Sequence, residues 1–204
     1  ENKPVLREPT ARPFLKWAGG KRSIVPELIA RLPGDYGIYY EPFLGGGALF
    51  FELYRAGRLK RQAYLSDNNP RLIEAYEGVR DEVEELIQLL NRHKRLHSEE
   101  HFYRVRAKVP KTLAERAARV IYLNKTCYNG LYRENSRGEF NSPFGRYKNP
   151  VVCDEDNLRA ASKALQKAKI ESRHFQAVAE YAEAGDLVYF DPPYYPISAT
   201  ASLQ

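Results

Sequence analysis

Ile24, Leu28 and Leu32 recur at four-residue spacing and are halted by Pro33-Gly34, so the first periodic stretch predicts a short helix over residues 22–32. Ahead of it, Pro4, Pro9 and Pro13 in a polar run predict an irregular arm. The helix leads into Ile38-Tyr39-Tyr40-Glu41, read as a strand. Phe43-Leu44-Gly45-Gly46-Gly47 then forms a turn that opens a second helix, from Ala48 to Ala56. A second strand, Ala63-Tyr64-Leu65-Ser66, ends at Asp67. Strand, glycine-rich turn, helix, strand and acidic residue follow the order of a βαβ unit, which joins two parallel strands.

After Pro70 the period becomes helical. Val83, Leu86, Ile87 and Leu90 fall at i, i+3, i+4 and i+7, and the capping box Thr112-x-x-Glu115 opens another helix before Ala117, Val120 and Ile121. Residues 128–150, YNGLYRENSRGEFNSPFGRYKNP, break the pattern. They are aromatic, basic and rich in Asn and Gly, with a hairpin turn expected from Asn135 to Gly138. A helix from Asn157 to Ala168 and a short strand near Ile170 to Phe175 follow. Leu187-Val188-Tyr189-Phe190 reads as a buried strand ending at Asp191. The chain contains no internal repeat and no low-complexity tract.

Composition fits an ordinary globular chain: 204 residues, 43% hydrophobic and 28% charged. No run approaches the ~20 apolar residues that span a bilayer, and the first residues lack the apolar core of a signal peptide, so neither membrane insertion nor export is expected. Two cysteines, Cys127 and Cys153, make neither a disulfide framework nor paired metal knuckles, which favours a reducing, cytoplasmic setting. The charge is uneven. Sixteen basic and eleven acidic side chains in residues 69–150 carry +5 of the +6 net charge, pointing to a polyanionic partner.

Gly45-Gly46-Gly47 after a strand resembles a dinucleotide fingerprint, although Phe50 replaces its third glycine. Asp67, twenty residues after Gly47, stands where a carboxylate accepts hydrogen bonds from ribose hydroxyls, so a nucleoside cofactor is favoured over a plain turn with a surface Asp. Gly19-Gly20-Lys21 is no phosphate loop, because Leu15 and Arg22 occupy the positions that need Gly and Ser or Thr. The Gly pair instead delivers Trp17 and Lys21 to a site. His93, His97 and His101 recur every four residues as in a metal comb, but the charged residues among them predict a solvated face without metal.

Asp191-Pro192-Pro193-Tyr194 at the carboxyl end of an apolar strand carries the chemistry. An exocyclic base amine is a poor nucleophile because its lone pair is delocalised into the ring. A carboxylate and a backbone carbonyl that accept its two N–H protons draw the nitrogen toward tetrahedral geometry and free that pair. Asp191 supplies the carboxylate. Consecutive prolines fix φ and lack N–H groups, which holds the Pro192 carbonyl rigid with no competing donor. Tyr194 can stack on a flipped base. Phe175 is a candidate to pack on a cofactor's adenine, with an ordinary core aromatic as the alternative.

In five segments the chain resembles the Dam-type (D12 class) DNA adenine-N6 methyltransferases. They are PFLKWAGGK (13–21), YEPFLGGGALFF (40–51), LSDNNPRLI (65–73), YLNKTCYNGLYRENSRGEFNSPFGRYKNP (122–150) and YFDPPY (189–194). The resemblance implies an α/β fold, a Rossmann-like S-adenosylmethionine-dependent sheet formed by residues 1–69 and 156–204. Residues 70–155 would be an inserted target-recognition domain of helices and a β-hairpin. It implies S-adenosyl-L-methionine bound through Trp17, Lys21, the turn from Phe43 through Gly45 to Gly47, Asp67 and Asp191, with methyl transfer to adenine N6 in double-stranded DNA. Tyr128, Asn129, Leu131, Arg133, Pro143 and Arg146 match the hairpin with which the family reads GATC. Lys125, Arg137 and Lys148 read as phosphate contacts. No metal, membrane or obligate protein partner is implied. The family continues with further strands beyond Tyr194, whereas this chain ends ten residues later, so part of the sheet is expected to be missing. Cytosine-N4 methylation is the nearest rival, and Asp rather than Ser at position 191 speaks against it. Methylation of glutamine in proteins would call for Asn there and leave the basic hairpin unexplained. A catalytically silent DNA-binding module is the rival from another class.

Overall fold

A computed structural model describes residues 10–18 and 23–193. Its strands are β1 (Tyr39–Glu41), β2 (Ala63–Asp67), β3 (Ala168–Ser172) and β4 (Leu187–Val188). They form one sheet in the order β3-β2-β1-β4, with every pairing parallel. β1 is buried along its length, as a central strand covered on both faces must be. Among the described residues β4 pairs with β1 alone, and its two residues are half-buried rather than fully buried as the apolar run suggests. Phe190 just beyond it is exposed.

The helices are α1 (Val25–Arg31), α2 (Ala48–Arg55), α3 (Pro70–Asp81), α4 (Val83–Arg95), α5 (Glu99–Ala107), α6 (Leu113–Thr126) and α7 (Glu155–Leu165). The βαβ unit predicted from the glycine-rich turn is β1-α2-β2, with Leu49, Phe50, Phe51 and Leu53 of α2 in the core. α3 starts where Pro70 suggested, because the Asn69 side chain accepts from the Arg71 and Leu72 N–H groups and Pro70 needs no partner for its nitrogen. The capping box of α6 forms in both directions between Thr112 and Glu115. α7 begins two residues before the predicted Asn157, capped by Asp154, and ends at Leu165, freeing Ala168 to pair with Ala63. Phe175 therefore lies beyond β3, at the start of a 3-10 turn (Phe175–Glu180).

α3 packs against β2 and β3 on one side and against α4, α6 and α7 on others, so it links the sheet to the helices that follow. Its Leu72, Ile73, Ala75, Tyr76 and Val79 are all buried. At Gly78 a Cβ would come within 2.3 Å of the Ala117 Cβ, so α3 and α6 meet at nearly backbone distance.

The histidine comb is not the solvated face expected. α4 stops at Arg95 and α5 starts anew from Ser98, whose side chain accepts from the His101 N–H, so the three histidines do not share one helix. The break turns them onto Tyr122 of α6. His93 stacks on its ring at 4.9 Å, His101 meets it edge-on at 5.4 Å, and His97 Nδ1 lies 3.0 Å from its hydroxyl. Burial, aided by His101 and Arg92, pushes the His93 pKa down to about 4, so it packs as a neutral ring.

The α3–α6 contact yields a test of sign. Gly to Ala within a helix ordinarily gains up to about 1 kcal/mol, but overpacking costs roughly 1–3 kcal/mol. Gly78→Ala is expected to lower the denaturant midpoint, and adding Ala117→Gly should return it close to wild type. A stabilised Gly78→Ala variant would contradict the close approach.

Candidate functional site

The chain leaves β1 toward β2 and β3 on one side and reaches β4 on the other, which puts the topological switch of the sheet between β1 and β4. Parallel sheets hold their ligands in the crevice outside the carboxyl ends of the strands at such a switch. Here those ends carry the Phe43 to Gly47 turn, Asp67 and Asp191.

The turn is built at close quarters. Gly45 and Gly47 both have positive φ, 47° and 65°. A Cβ on Gly45 would lie 2.9 Å from Trp17 Cδ1, and one on Gly47 would lie 2.8 Å from the Tyr76 hydroxyl. The Gly45 N–H donates to Asp67 Oδ2 at 3.2 Å, and the Tyr76 hydroxyl donates to the Gly45 carbonyl at 3.0 Å. The other oxygen of Asp67 accepts from the Asn69 N–H at 3.0 Å. Burial raises the Asp67 pKa, and the N–H groups of Asn69, Gly45 and Asn68 oppose that rise. Trp17 stacks on Tyr132 at 5.3 Å and 27°. Phe43 stacks on Phe175 at 5.0 Å and is tilted against Phe190 at 6.3 Å. Phe175 is half-buried at the rim and not part of the core.

The sequence reading missed Glu41, the last residue of β1, which is only 3% exposed. Strand alternation places it on the same face as Tyr39, whose hydroxyl donates to Glu41 Oε2 at 2.9 Å. It also accepts from the Phe50 N–H in the first turn of α2, serving a helix start whose cap residue Gly47 has no side chain. Burial pushes its pKa up to about 8 despite these donors, and Asp191 and Asp67 add to the rise. The available signal was a carboxylate closing an otherwise apolar strand, directly before the turn.

Tyr189 still donates its N–H to the Tyr40 carbonyl at 2.9 Å, so the chain stays beside β1 up to the motif. Asp191 is half-exposed, and Pro192 and Pro193 are exposed. Lys21 and Tyr194, like Gly19 and Gly20, lie outside the described residues. The structure thus brings Trp17, Phe43, Gly45, Gly47, Asp67, Phe175 and Asp191 to one edge of the sheet, clustered by the contacts described above.

The basic aromatic segment forms a loose antiparallel loop. Two isolated bridges, Cys127 with Phe144 and Glu134 with Phe140, hold it, together with a turn at Asn135, whose side chain accepts from the Arg137 and Glu139 N–H groups. Phe140, Ser142 and Cys127 root it in the interior. Tyr128, Asn129, Arg133, Arg137, Pro143, Arg146 and Lys148 are exposed, while Leu131 and Lys125 are half-buried. Asn129 and Arg146 both adopt φ 54°, a left-handed backbone uncommon outside glycine and most unusual for an arginine. Such strain is often found at functional positions. Among the described residues no three His, Cys, Asp or Glu side chains are placed to hold a metal ion, and no helix is long and apolar enough to cross a membrane.

Residues 17–204 match the family described as D12 class N6 adenine-specific DNA methyltransferase. The chain is 42% identical over 199 residues to the Type II methyltransferase M1.LlaDCHI of Lactococcus lactis subsp. cremoris, covering 94% of this chain and 68% of that protein. It is 44% identical over 211 residues to the Type II methyltransferase M.MjaIII of Methanocaldococcus jannaschii, covering 94% and 72%. It is 36% identical over 195 residues to the DNA adenine methylase of Escherichia coli K12, covering 94% and 68%.

The state of Glu41 can be read from stability against pH. Its carboxyl has a folded pKa of about 8, above the ordinary 4.5, so its contribution is fully present below about 4.5 and is lost as pH rises through 8. Glu41→Gln keeps the neutral shape without the titration. The stability difference between wild type and variant is expected to move in favour of the variant from pH 5 to pH 8.5, measured by urea unfolding. A difference independent of pH would show that Glu41 is ionised throughout.

Proposed function

The chain belongs to the D12 class of N6 adenine-specific DNA methyltransferases, and we propose that it acts through the crevice between β1 and β4 with S-adenosylmethionine as methyl donor. The observation that carries this reading is Asp191-Pro192-Pro193, which follows β4 onto the rim where the glycine-rich turn and Asp67 already meet. A Rossmann-like catalytic unit of residues 1–69 and 156–204 would present this crevice, and residues 70–155 would form the inserted target-recognition domain. The work is done in the cytoplasm, on the nucleoid DNA.

The residues present fit the cofactor. Asp67 is a ribose acceptor already oriented by the Gly45 and Asn69 N–H groups. Phe43 and Phe175 offer flat faces for the adenine, and the missing Cβ atoms at Gly45 and Gly47 let Trp17 and Tyr76 pack directly against the turn that would carry the cofactor. Trp17 and Lys21 would close the pocket from the N-terminal segment. When bound, S-adenosylmethionine supplies a methyl group activated by its sulfonium charge. The chain's own task is to present the amine. The Asp191 carboxylate and the Pro192 carbonyl accept its two N–H protons, which localises the lone pair on N6, and Tyr194 stacks on the extruded ring.

The recognition loop supplies the target. Arg133 carries the planar fork that matches the O6 and N7 acceptors of guanine, and a contact of this kind discriminates by about 1–3 kcal/mol against a wrong base. Tyr128, 55% exposed, can fill or wedge the stack while the adenine leaves it. Asn129, Leu131, Pro143 and Arg146 complete the reading surface for a GATC-like site, and Lys125, Arg137 and Lys148 meet phosphates.

Asp191→Ala is expected to lower methyl transfer by at least ~10²-fold while duplex affinity changes little, because the carboxylate acts on the amine and not on phosphates. Labelled cofactor, defined duplexes and mapping of the methylated base measure both the rate and the product. Near-normal turnover would remove the mechanism. Arg133→Ala should relax discrimination at one base pair of the site, whereas Lys148→Ala should weaken all duplexes alike and reduce the salt slope by about 1. Equal losses on cognate and scrambled DNA in the Arg133 variant would take the reading role from it.

A further inference from the structure

The dipeptide Lys16-Trp17 touches both the glycine-rich turn and the recognition loop, and one buried side chain holds it there. Asn124, in the last turns of α6, is fully buried. Its Oδ1 accepts from the Lys16 N–H at 2.8 Å, and its Nδ2 donates to the Lys16 carbonyl at 2.6 Å and to the Gly130 carbonyl at 3.4 Å. An amide side chain thus satisfies both backbone groups of one residue and reaches the loop with its second proton. The loop presses back at the same place, since a Cβ on Gly130 would fall 2.7 Å from the Lys16 Cδ. Lys16 Nζ sits 5.2 Å over the Tyr147 ring on the returning side of the loop. One residue further, Trp17 lies between Tyr132 of the loop and the Gly45 turn.

We propose that Asn124 is a positioning residue that makes cofactor binding and target reading depend on one another, by clamping Lys16-Trp17 between the glycine-rich turn and the recognition loop. The inference rests on the assignment of the turn to the cofactor and of the loop to the target. A cofactor that settles against Trp17 and the Gly45 turn fixes the ring on which Tyr132 stacks. Asn124 carries the same constraint along the backbone to Gly130, directly beside Tyr128 and Asn129. Ordering paid for by the first ligand is then not required again for the second, and the effect must be reciprocal. Without the amide, the dipeptide and the loop each keep their local packing but no longer move as one piece.

S-adenosylhomocysteine, which cannot react, and a GATC duplex serve as probes, with each dissociation constant measured alone and in the presence of the other ligand. In the wild type S-adenosylhomocysteine is expected to tighten duplex binding at least ~5-fold, the lower end of usual coupling. Asn124→Ala should bring that factor close to one while each separate affinity stays within about threefold. Tyr132→Ala should do the same and Tyr132→Phe, which keeps the stack, should restore it, so the test survives if the Asn124 variant does not fold. A wild-type factor of one, a factor unchanged in both Asn124→Ala and Tyr132→Ala, or equal losses of both affinities with the factor retained would each overturn the proposal. Failure of the wild type to bind S-adenosylhomocysteine at all would instead overturn the cofactor reading, and the inference with it.

Discussion

The carboxyl edge of the sheet depends on how tightly the chain turns between β1 and α2. The Gly45 amide reaches Asp67 on the neighbouring strand and its carbonyl takes the Tyr76 hydroxyl from α3, so one residue ties β1, β2 and α3 together. Trp17 occupies the space where a Gly45 side chain would stand. Any Cβ there would displace the indole, lengthen the contact to Asp67 and loosen the Tyr132 stack in one step. A turn with left-handed residues at Gly45 and Gly47 is therefore a condition for the rest of the rim.

That turn also decides what the start of α2 must find as a partner. A helix opening on glycine leaves its first N–H groups without a capping side chain, and Glu41 reaches up from β1 to meet one of them. Burial under α2, with Asp67 and Asp191 close enough to raise its pKa further, keeps this carboxyl neutral below about pH 8, so the negative charge of the rim rests on Asp67 and Asp191 rather than on Glu41. The basic excess lies instead in the segment from Asn69 to Pro150. The Lys16-Trp17 dipeptide lies between the glycine-rich turn and the basic aromatic loop.

The sequence was most informative where local chemistry and long-range packing demand the same residue. The glycine run and the Thr112 to Glu115 box each specify a turn or cap that the backbone needs whatever surrounds it, and each stands where the spacing put it. The Asn135 turn is legible for the same reason, because its side chain bonds to its own backbone two and four residues on. Tertiary decisions were hidden. The histidine spacing looks like one helical face until the chain breaks at Ser98, and only the position of Tyr122 on α6 decides that the rings turn inward. Leu187 to Phe190 reads as buried because apolar runs usually are, yet Leu187 and Val188 are half-buried and Phe190 is exposed. Glu41 was passed over because a single carboxylate has no period, and its meaning depends on a helix terminus nine residues later in the chain.

The recognition loop combines a firm root with a lightly paired reach. Backbone bonds from Tyr128 to Pro143 and from Gly145 to Thr126 fasten it where it leaves and rejoins α6, and Phe140 and Ser142 anchor its return in the interior. Beyond that root its two sides are joined by the Glu134 and Phe140 bridge, the Asn135 turn, the Ser142 hydroxyl on the Leu131 carbonyl and the Tyr132–Phe140 ring contact, without a continuous ladder. A continuous ladder would fix the arginines in advance of any target and commit them to one groove geometry. If the loop reads DNA as proposed, its exposed side chains would settle on base edges after phosphate contacts had set the register, so that correct contacts alone would offset the ordering cost. Discrimination built this way needs the root to be stiff, since any slack there would let a mismatched site relax into contact. At the point where the loop meets the glycine-rich turn, Asn124 bonds to the Gly130 carbonyl and Trp17 stacks on Tyr132, the contacts on which such stiffness would depend.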